Sequence, residues 1–353
     1  MPFPHISGSL PLDDAEAVFA WAGRALGDRT RLIPDGETTP QRRSWMPHLP
    51  WFDANPTIEH GEPMEFGGEF FPTYRVKDGA EVAFNEPFEF QTWARESYAT
   101  FKSARDAGVL PSHAKLLVAF PHSTDAVIHA VEAASFEAIY EAYVAQLQVS
   151  VQEIADSIPH EDLAMQWDIP TAAVLWTGGG AFLGLSDSDR PSILNEVVRH
   201  GEWVPEGVEL GYHLCFGDGN NAENVAGDSD IDIEEDTAED TAGLAELCND
   251  IVRETDRRVD FLHLPTYAHW IERQQFEPLQ GLDIDGAELS LGVINLRRDR
   301  GLENGVQRAR QRTAAAVEAI GPTFGISSTC GLGRYTPAQF AAASDLFAEL
   351  DQG

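Results

Sequence analysis

Apolar and β-branched residues along this chain gather into short runs, each closed by small or polar residues and most followed by apolar positions at helical spacing. Eight runs stand out: PHISGSL (4–10), RLIPDGE (31–37), KLLVAFP (115–121), LAMQWDI (163–169), VELGYHLCFG (208–217), VDFLHLP (259–265), ELSLGVINL (288–296) and FGISSTCG (324–331). Between them, DDAEAVFAWAGRAL, TAGLAELCNDIVRETD and GVQRARQRTAAAVEAI each line up apolar residues on one helical face. Alternating strand and helix units predict a parallel α/β sheet. Eight of them predict a closed (β/α)8 TIM barrel, with residues 1–353 as one catalytic domain.

Two segments interrupt the rhythm. Residues 38–111 hold an aromatic-rich stretch and an expected hairpin, FFPTYRVKDGAEVAF, with KDG as its turn. Inserted after the second strand, this hairpin segment is expected over the catalytic mouth. The second interruption, 217–242, is an acidic low-complexity loop directly after the fifth strand. Its DGNNAENVAGDSDID has the oxygens of a calcium loop but not their spacing, and its Gly and Glu fall at the wrong positions, so it reads as a solvated loop.

The composition narrows the classes of partner. With 353 residues and 43% hydrophobic content, the chain can bury a large core. No apolar run approaches the roughly 20 residues that cross a bilayer. MPFPHISGSLPLDD lacks the basic and apolar regions of a secretory signal, which predicts a cytoplasmic protein without membrane contact. The excess of 58 acidic over 24 basic side chains gives a formal charge of -34, which opposes binding to nucleic acid or anionic lipid. Lysine occurs only at Lys77, Lys102 and Lys115. Such an acidic, lysine-poor surface fits a halophilic source, with a GC-rich genome as the competing cause. Three cysteines, Cys215, Cys248 and Cys330, make no disulfide framework and turn attention to metal or thiol chemistry.

In a parallel barrel the active site lies at the carboxyl ends of the strands. Those ends carry Gly8 and Ser9, Asp35 and Glu37, His122, Ser123 and Thr124, Asp168, then His213, Cys215 and Asp218, His263 and Cys330. His213 and Cys215, two apart on a strand, point to the same face, and Cys330 ends the strand that closes the barrel. One imidazole and two thiols match the donor preference and tetrahedral geometry of Zn2+. Zinc in turn makes a bound thiol nucleophilic near neutral pH, which is thiol-alkylation chemistry. The competing reading makes Cys215 and Cys330 small buried residues and His213 a hydrogen-bonded core histidine. Cys248 falls on the stripe Leu244, Leu247, Ile251 and Val252, and is assigned to the core.

Five strand-end segments, HISGSLP, PDGETTPQRRSW, MQWDIP, YHLCFGD and SSTCGLGR, carry a family resemblance. In this order they resemble TIGSFP, HGE with a following basic residue, QIDEP, the His-x-Cys strand and NPDCGL of the catalytic C-terminal barrel of cobalamin-independent methionine synthase. That barrel belongs to the superfamily that also holds uroporphyrinogen decarboxylase. The resemblance implies a zinc-dependent methyltransferase acting on a small thiol such as homocysteine, with His213, Cys215 and Cys330 as zinc ligands. It assigns Gly8, Ser9, Glu37 and Asp168 to substrate binding, with Glu37 and Asp168 as the catalytic carboxylates. Those two would pair with an ammonium while the Gly8–Ser9 backbone donates to a carboxylate. Helix capping is the competing role for both acids. Methyltetrahydrofolate is the implied methyl donor, with Arg42, Arg43 and Arg334 as anchors for its glutamate tail and a corrinoid protein as the alternative donor.

Two departures from the family pattern matter. The sixth strand reads VDFLHLPTYAHW, without the glutamate that serves the family as fourth ligand, so His263, a water or the substrate takes that place. DEP has become DIP, and Ile169 removes a carboxylate. Two other functions follow from the same superfamily: a decarboxylase-type lyase and a non-catalytic zinc-binding member. The first needs arginines near the first strand, and PHISGSLPL has none.

Overall fold

A computed structural model describes residues 3–43, 46–66, 69–216, 237–267, 269–297, 299 and 301–350. Helix α1 (Ala15–Ala25) and strand β1 (Leu32–Pro34) come first. The insertion then contributes α2 (Leu49–Ala54), β2 (Ile58–His60), β3 (Met64–Phe66), β4 (Glu69–Phe71), β5 (Tyr74–Val76) and α3 (Phe90–Asp106). Next come β6 (Lys115–Pro121), α4 (Ser123–Val127), α5 (Phe136–Ser157), β7 (Leu163–Asp168), α6 (Pro170–Trp176), α7 (Arg190–Glu202) and β8 (Glu209–His213). The chain continues with α8 (Thr237–Glu254), β9 (Phe261–Pro265), β10 (Glu288–Ile294), α9 (Leu302–Ile320), β11 (Gly325–Ser328) and α10 (Pro337–Leu350).

Seven of the eight apolar runs pair side by side as one parallel sheet in the order β1-β6-β7-β8-β9-β10-β11. The run at 4–10 does not become a strand. It makes a bridge from Pro4 to Ile326, with the His5 N–H donating to the Ile326 carbonyl at 2.9 Å. Toward β1 it offers the Leu10 N–H, which donates to the Gly36 carbonyl at 2.8 Å. Pro4 and Pro34 each remove an N–H donor from the two edges that would have to zip together. The sheet is therefore a curled seven-stranded half-barrel, and the closed eight-stranded ladder expected from the pattern is not formed among the described residues.

Helices cover the outer face of the sheet and form the main apolar core with it, while Leu32, Leu117, Ala164 and Phe261 make a separate small cluster. Gly211 leaves room for Phe261, since a Cβ there would lie 2.1 Å from its ring. At the amino ends of the strands Arg31 pairs with Glu209 and, at 2.7 Å, with Glu288, and Lys115 meets Glu209 at 2.9 Å. Polar groups thus close the lower end, leaving chemistry to the carboxyl ends. The expected helices form. Asp14 caps α1 by accepting from the Ala17 N–H at 2.8 Å, and α8 buries Leu244, Leu247, Cys248 and Ile251. Cys248 is a core thiol whose pKa burial pushes up.

The insertion pairs differently from expectation. KDG does turn, with Gly79 at a φ of 71° and the Ala80 N–H donating to the Lys77 carbonyl, but no strand follows it. Instead β5 pairs backward and antiparallel with β2, while β3 and β4 form the hairpin. β5 also exchanges backbone bonds with Ala130 and Glu132, in the segment that follows the carboxyl end of β6. Residues 217–236 of the acidic loop, with Asp218 and the rejected calcium pattern, lie outside the described residues; from Thr237 the chain is helical. Among the described residues no helix is long and apolar enough to cross a membrane.

Candidate metal centre

Register brings the chemistry together. Asp168 is level with His213 across β7 and β8, and His213 with His263 across β8 and β9. Alternation sends Gln166 and Asp168 inward, where the Gln166 amide donates to Asp168 Oδ1 at 2.9 Å and to the Ser7 carbonyl at 2.7 Å. Trp167, between them, turns to the helix layer and meets the His200 ring edge-on. Ile169 joins the main apolar core and packs among hydrophobic side chains.

Cys330 lies in the turn after β11, where the Ser328 hydroxyl donates to its carbonyl at 2.6 Å. The following residues grip the first segment: the Leu332 N–H donates to the Ser9 carbonyl at 2.7 Å and the Gly333 N–H to Ser9 Oγ at 3.3 Å. Gly331 has to be glycine, because a Cβ would fall 2.4 Å from Ser9 Oγ and 3.0 Å from its nitrogen. Ser9 is thereby a bracket between the first segment and the Cys330 turn.

Donor atoms of His213, Cys215 and Cys330 lie within 4.8 Å of one another, and the two sulfurs are 3.6 Å apart. Two Zn–S bonds of about 2.3 Å at a tetrahedral angle would set sulfurs about 3.8 Å apart. The His213 ring is buried with neither nitrogen in a hydrogen bond of normal geometry. A buried imidazole whose nearest polar partner is the Cys330 thiol fits a metal ligand, whereas a satisfied core histidine would bond to well-placed oxygen or nitrogen groups. Cys215, with His213 and Arg334 beside it, holds the Cys330 thiol well below its ordinary pKa against the effect of burial. Burial opposes charge on His213, but Cys330 and Asp168 outweigh it and raise its pKa.

Histidine 263 does not join that trio. Its ring stacks face to face on His213 with centroids 4.5 Å apart, and the His5 ring packs against it with centroids 5.3 Å apart.

Glu37 stands at the mouth on a strained backbone, with a φ of 48° that a non-glycine residue adopts at a cost of about 1–3 kcal/mol. Its N–H donates to Asp35 Oδ1 at 3.0 Å, and Asp35 is held by Arg42 at 2.8 and 2.9 Å and by the Ser97 hydroxyl. Arg42 lies over the Trp93 ring. That rigid base fixes the turn against its strain. The Gly8 backbone lies alongside the Glu37 carboxylate, where an added Cβ would be 3.5 Å from Oε1. Burial pushes the Glu37 pKa up to about 8, against Arg42 and with help from Asp168, Asp35 and Cys330. Burial likewise lifts Asp168 to about 7, against His213 and Gln166 and with help from Cys330. Two carboxyls, an acidic thiol and an imidazole therefore share one mouth.

The three arginines are committed within the protein: Arg42 to Asp35, Arg43 to the Leu12 carbonyl and Arg334 to the Arg43 carbonyl. Gln166 was not singled out in the sequence, and His122, expected at the mouth, lies instead in the helix layer with Glu196 and His200, which were not singled out either. The i, i+4 spacing of Glu196 and His200 was the available signal.

No family model matches the chain, and no curated protein matches it. Solved structures do. A B12-independent methionine synthase from Shewanella sp. W3-18-1, in complex with selenomethionine, superposes with a TM-score of 0.61 at 13% identity, over 99% of this chain and 98% of that one. A candidate vitamin-B12 independent methionine synthase from Listeria monocytogenes gives 0.54 at 11% identity, over 99% and 98%. A methyltransferase from Methanosarcina mazei gives 0.54 at 11% identity, over 100% and 94%. At these identities the likeness is one of fold.

Proposed function

We infer that this protein is a zinc-dependent S-methyltransferase acting on an amino-acid thiol of the homocysteine type. The observation that carries the reading is the trio of buried His213 and Cys215 with partly exposed Cys330, its sulfurs 3.6 Å apart, beside the Glu37 and Asp168 carboxyls. Zinc held by these three side chains would supply Lewis acidity that keeps an acceptor thiol ionised near neutral pH.

The chain's own groups do the rest. Glu37 and Asp168 bind the substrate ammonium, and the Gly8–Ser9 backbone, held by the Cys330 turn, receives its carboxylate. Fixing the amino-acid end orients the sulfur toward a methyl donor under the insertion, and attack forms the S–CH3 bond as the donor's bond to that carbon breaks. Methyltetrahydrofolate is the proposed donor, with a methylated corrinoid as the second choice. The half-barrel serves as a (β/α)8 barrel whose first strand is reduced to the Pro4–Ile326 bridge, which leaves the Gly8–Ser9 turn to shape the mouth.

Zinc-loaded protein incubated with homocysteine and methyltetrahydrofolate, or with methylcobalamin, should yield methionine by mass spectrometry. Failure of both donors to methylate homocysteine or any thiol of a small panel contradicts the reading.

A further inference from the structure

The mouth is not the only place where metal-binding side chains converge. Donor atoms of His122, Glu196 and His200 also lie within 4.8 Å of one another, and all three residues are buried. His122 follows β6, while Glu196 and His200 sit one turn apart on α7, so this set lies between the sheet and its helices, on the Trp167 side of β7 rather than the Asp168 side.

The groups around the set are arranged as outer partners of metal ligands usually are. His200 Nδ1 is 2.7 Å from the Glu196 carbonyl oxygen, which can only accept, so the proton is on Nδ1 and the lone pair on Nε2. Carbonyl anchoring of this kind orients ligating histidines. Glu196 receives the hydroxyls of Thr124 and Tyr140, one on each carboxylate oxygen, which leaves the remaining lone pairs to a third partner. His122 is 1% exposed, and its Nε2 has no hydrogen-bond partner among the described residues. Its Nδ1 reaches no closer than 3.8 Å to Asp125. The His122 and His200 rings lie 4.2 Å apart, with Trp203 packed against His200 at 4.0 Å, so water has little place there. An unsatisfied buried imidazole beside a lone pair and a carboxylate costs stability unless something fills the gap.

We propose that His122, Glu196 and His200 form a second, structural binding site for a divalent transition ion such as Zn2+, separate from the cysteine centre. Two imidazoles and one carboxylate suit zinc or cobalt rather than magnesium or calcium. Ser123 Oγ, 2.6 Å from His200 Nε2, turns aside on binding. The ion would tie the end of β6 to α7 and so stiffen the outer wall behind Asp168, whose carbonyl accepts from the His122 N–H at 3.0 Å.

The test is Co2+ titration of the Cys215→Ser/Cys330→Ser double variant, its fold checked by circular dichroism. About one equivalent should bind, with weak visible bands and without the near-ultraviolet sulfur-to-metal absorption of a thiolate site. Adding His122→Gln or Glu196→Gln should weaken that binding at least about tenfold. A folded double variant that binds no cobalt, or one whose binding neither glutamine substitution alters, overturns the proposal. Because the double variant has no cysteine centre, the outcome is independent of the methyl-transfer reading.

Discussion

Replacing Cys330 with serine is expected to lower zinc affinity by two to four powers of ten and to abolish thiol methylation. If a site of this kind binds with about 10–16 kcal/mol, one of three ligands carries about 3–5 kcal/mol, at about 1.4 kcal/mol per decade. Serine keeps the shape of the turn, since the Ser328 hydroxyl bonds the Cys330 carbonyl and not its sulfur, so the loss falls on the metal rather than the fold. Cys215→Ser should behave alike because the two sulfurs face each other at 3.6 Å. Cys248→Ser should keep full zinc and instead lose about 1–3 kcal/mol of stability, because a hydroxyl would replace a thiol buried in the α8 core. Metal analysis after dialysis, with unfolding curves for the three variants, separates the effects. Full zinc in both Cys215→Ser and Cys330→Ser would remove the trio from the metal site.

Glu37→Gln and Asp168→Asn should keep the metal and weaken binding of homocysteine about 10- to 100-fold each, since a buried charge-assisted hydrogen bond contributes about 1.5–3 kcal/mol. The same substitutions have a signature in the metal-free, ligand-free protein. Both carboxyls titrate above their ordinary range when folded, Glu37 at about 8 and Asp168 at about 7. Between pH 4 and 8 the native state therefore holds protons that the unfolded chain has released, and its stability falls as pH rises through that window. The neutral variants escape this penalty. At pH 8 they should melt several degrees above the parent, and at pH 4 the difference should shrink to little, because the folded carboxyls are then protonated and the unfolded ones only partly ionised. Parent and variants melting alike at pH 8 would show that neither group is held protonated in the ligand-free mouth, against the burial that raises both.

Where the sequence pattern was informative, local chemistry and tertiary placement agreed. The runs at 115–121 and 163–169 became β6 and β7 nearly residue for residue, because apolar, β-branched stretches bounded by polar residues have one low-energy use in an α/β sheet. The run at 4–10 had the same composition, yet Pro4 and Pro34 cancelled its ladder. KDG was readable as a turn, but which strand β5 would choose depended on Ile58–His60, upstream and out of view of a hairpin rule. His213 and Cys215 were legible as a close pair in the sequence, although β8 ends at His213 and Cys215 lies just beyond it; the donor atoms of both lie within 4.8 Å of the Cys330 sulfur. The parallel stacking of His263 on His213 was not legible, because register sets which residues are level and not how their rings turn. Nor was the left-handed backbone of Glu37, which only the Asp35–Arg42 base explains.

Whether zinc at His213, Cys215 and Cys330 receives the substrate's sulfur is read from zinc X-ray absorption with and without homocysteine. In the His122→Gln variant, which leaves the cysteine site as the specific zinc site, the zinc should have two sulfur ligands without homocysteine and three at millimolar homocysteine. A zinc spectrum that stays unchanged on adding homocysteine would contradict it.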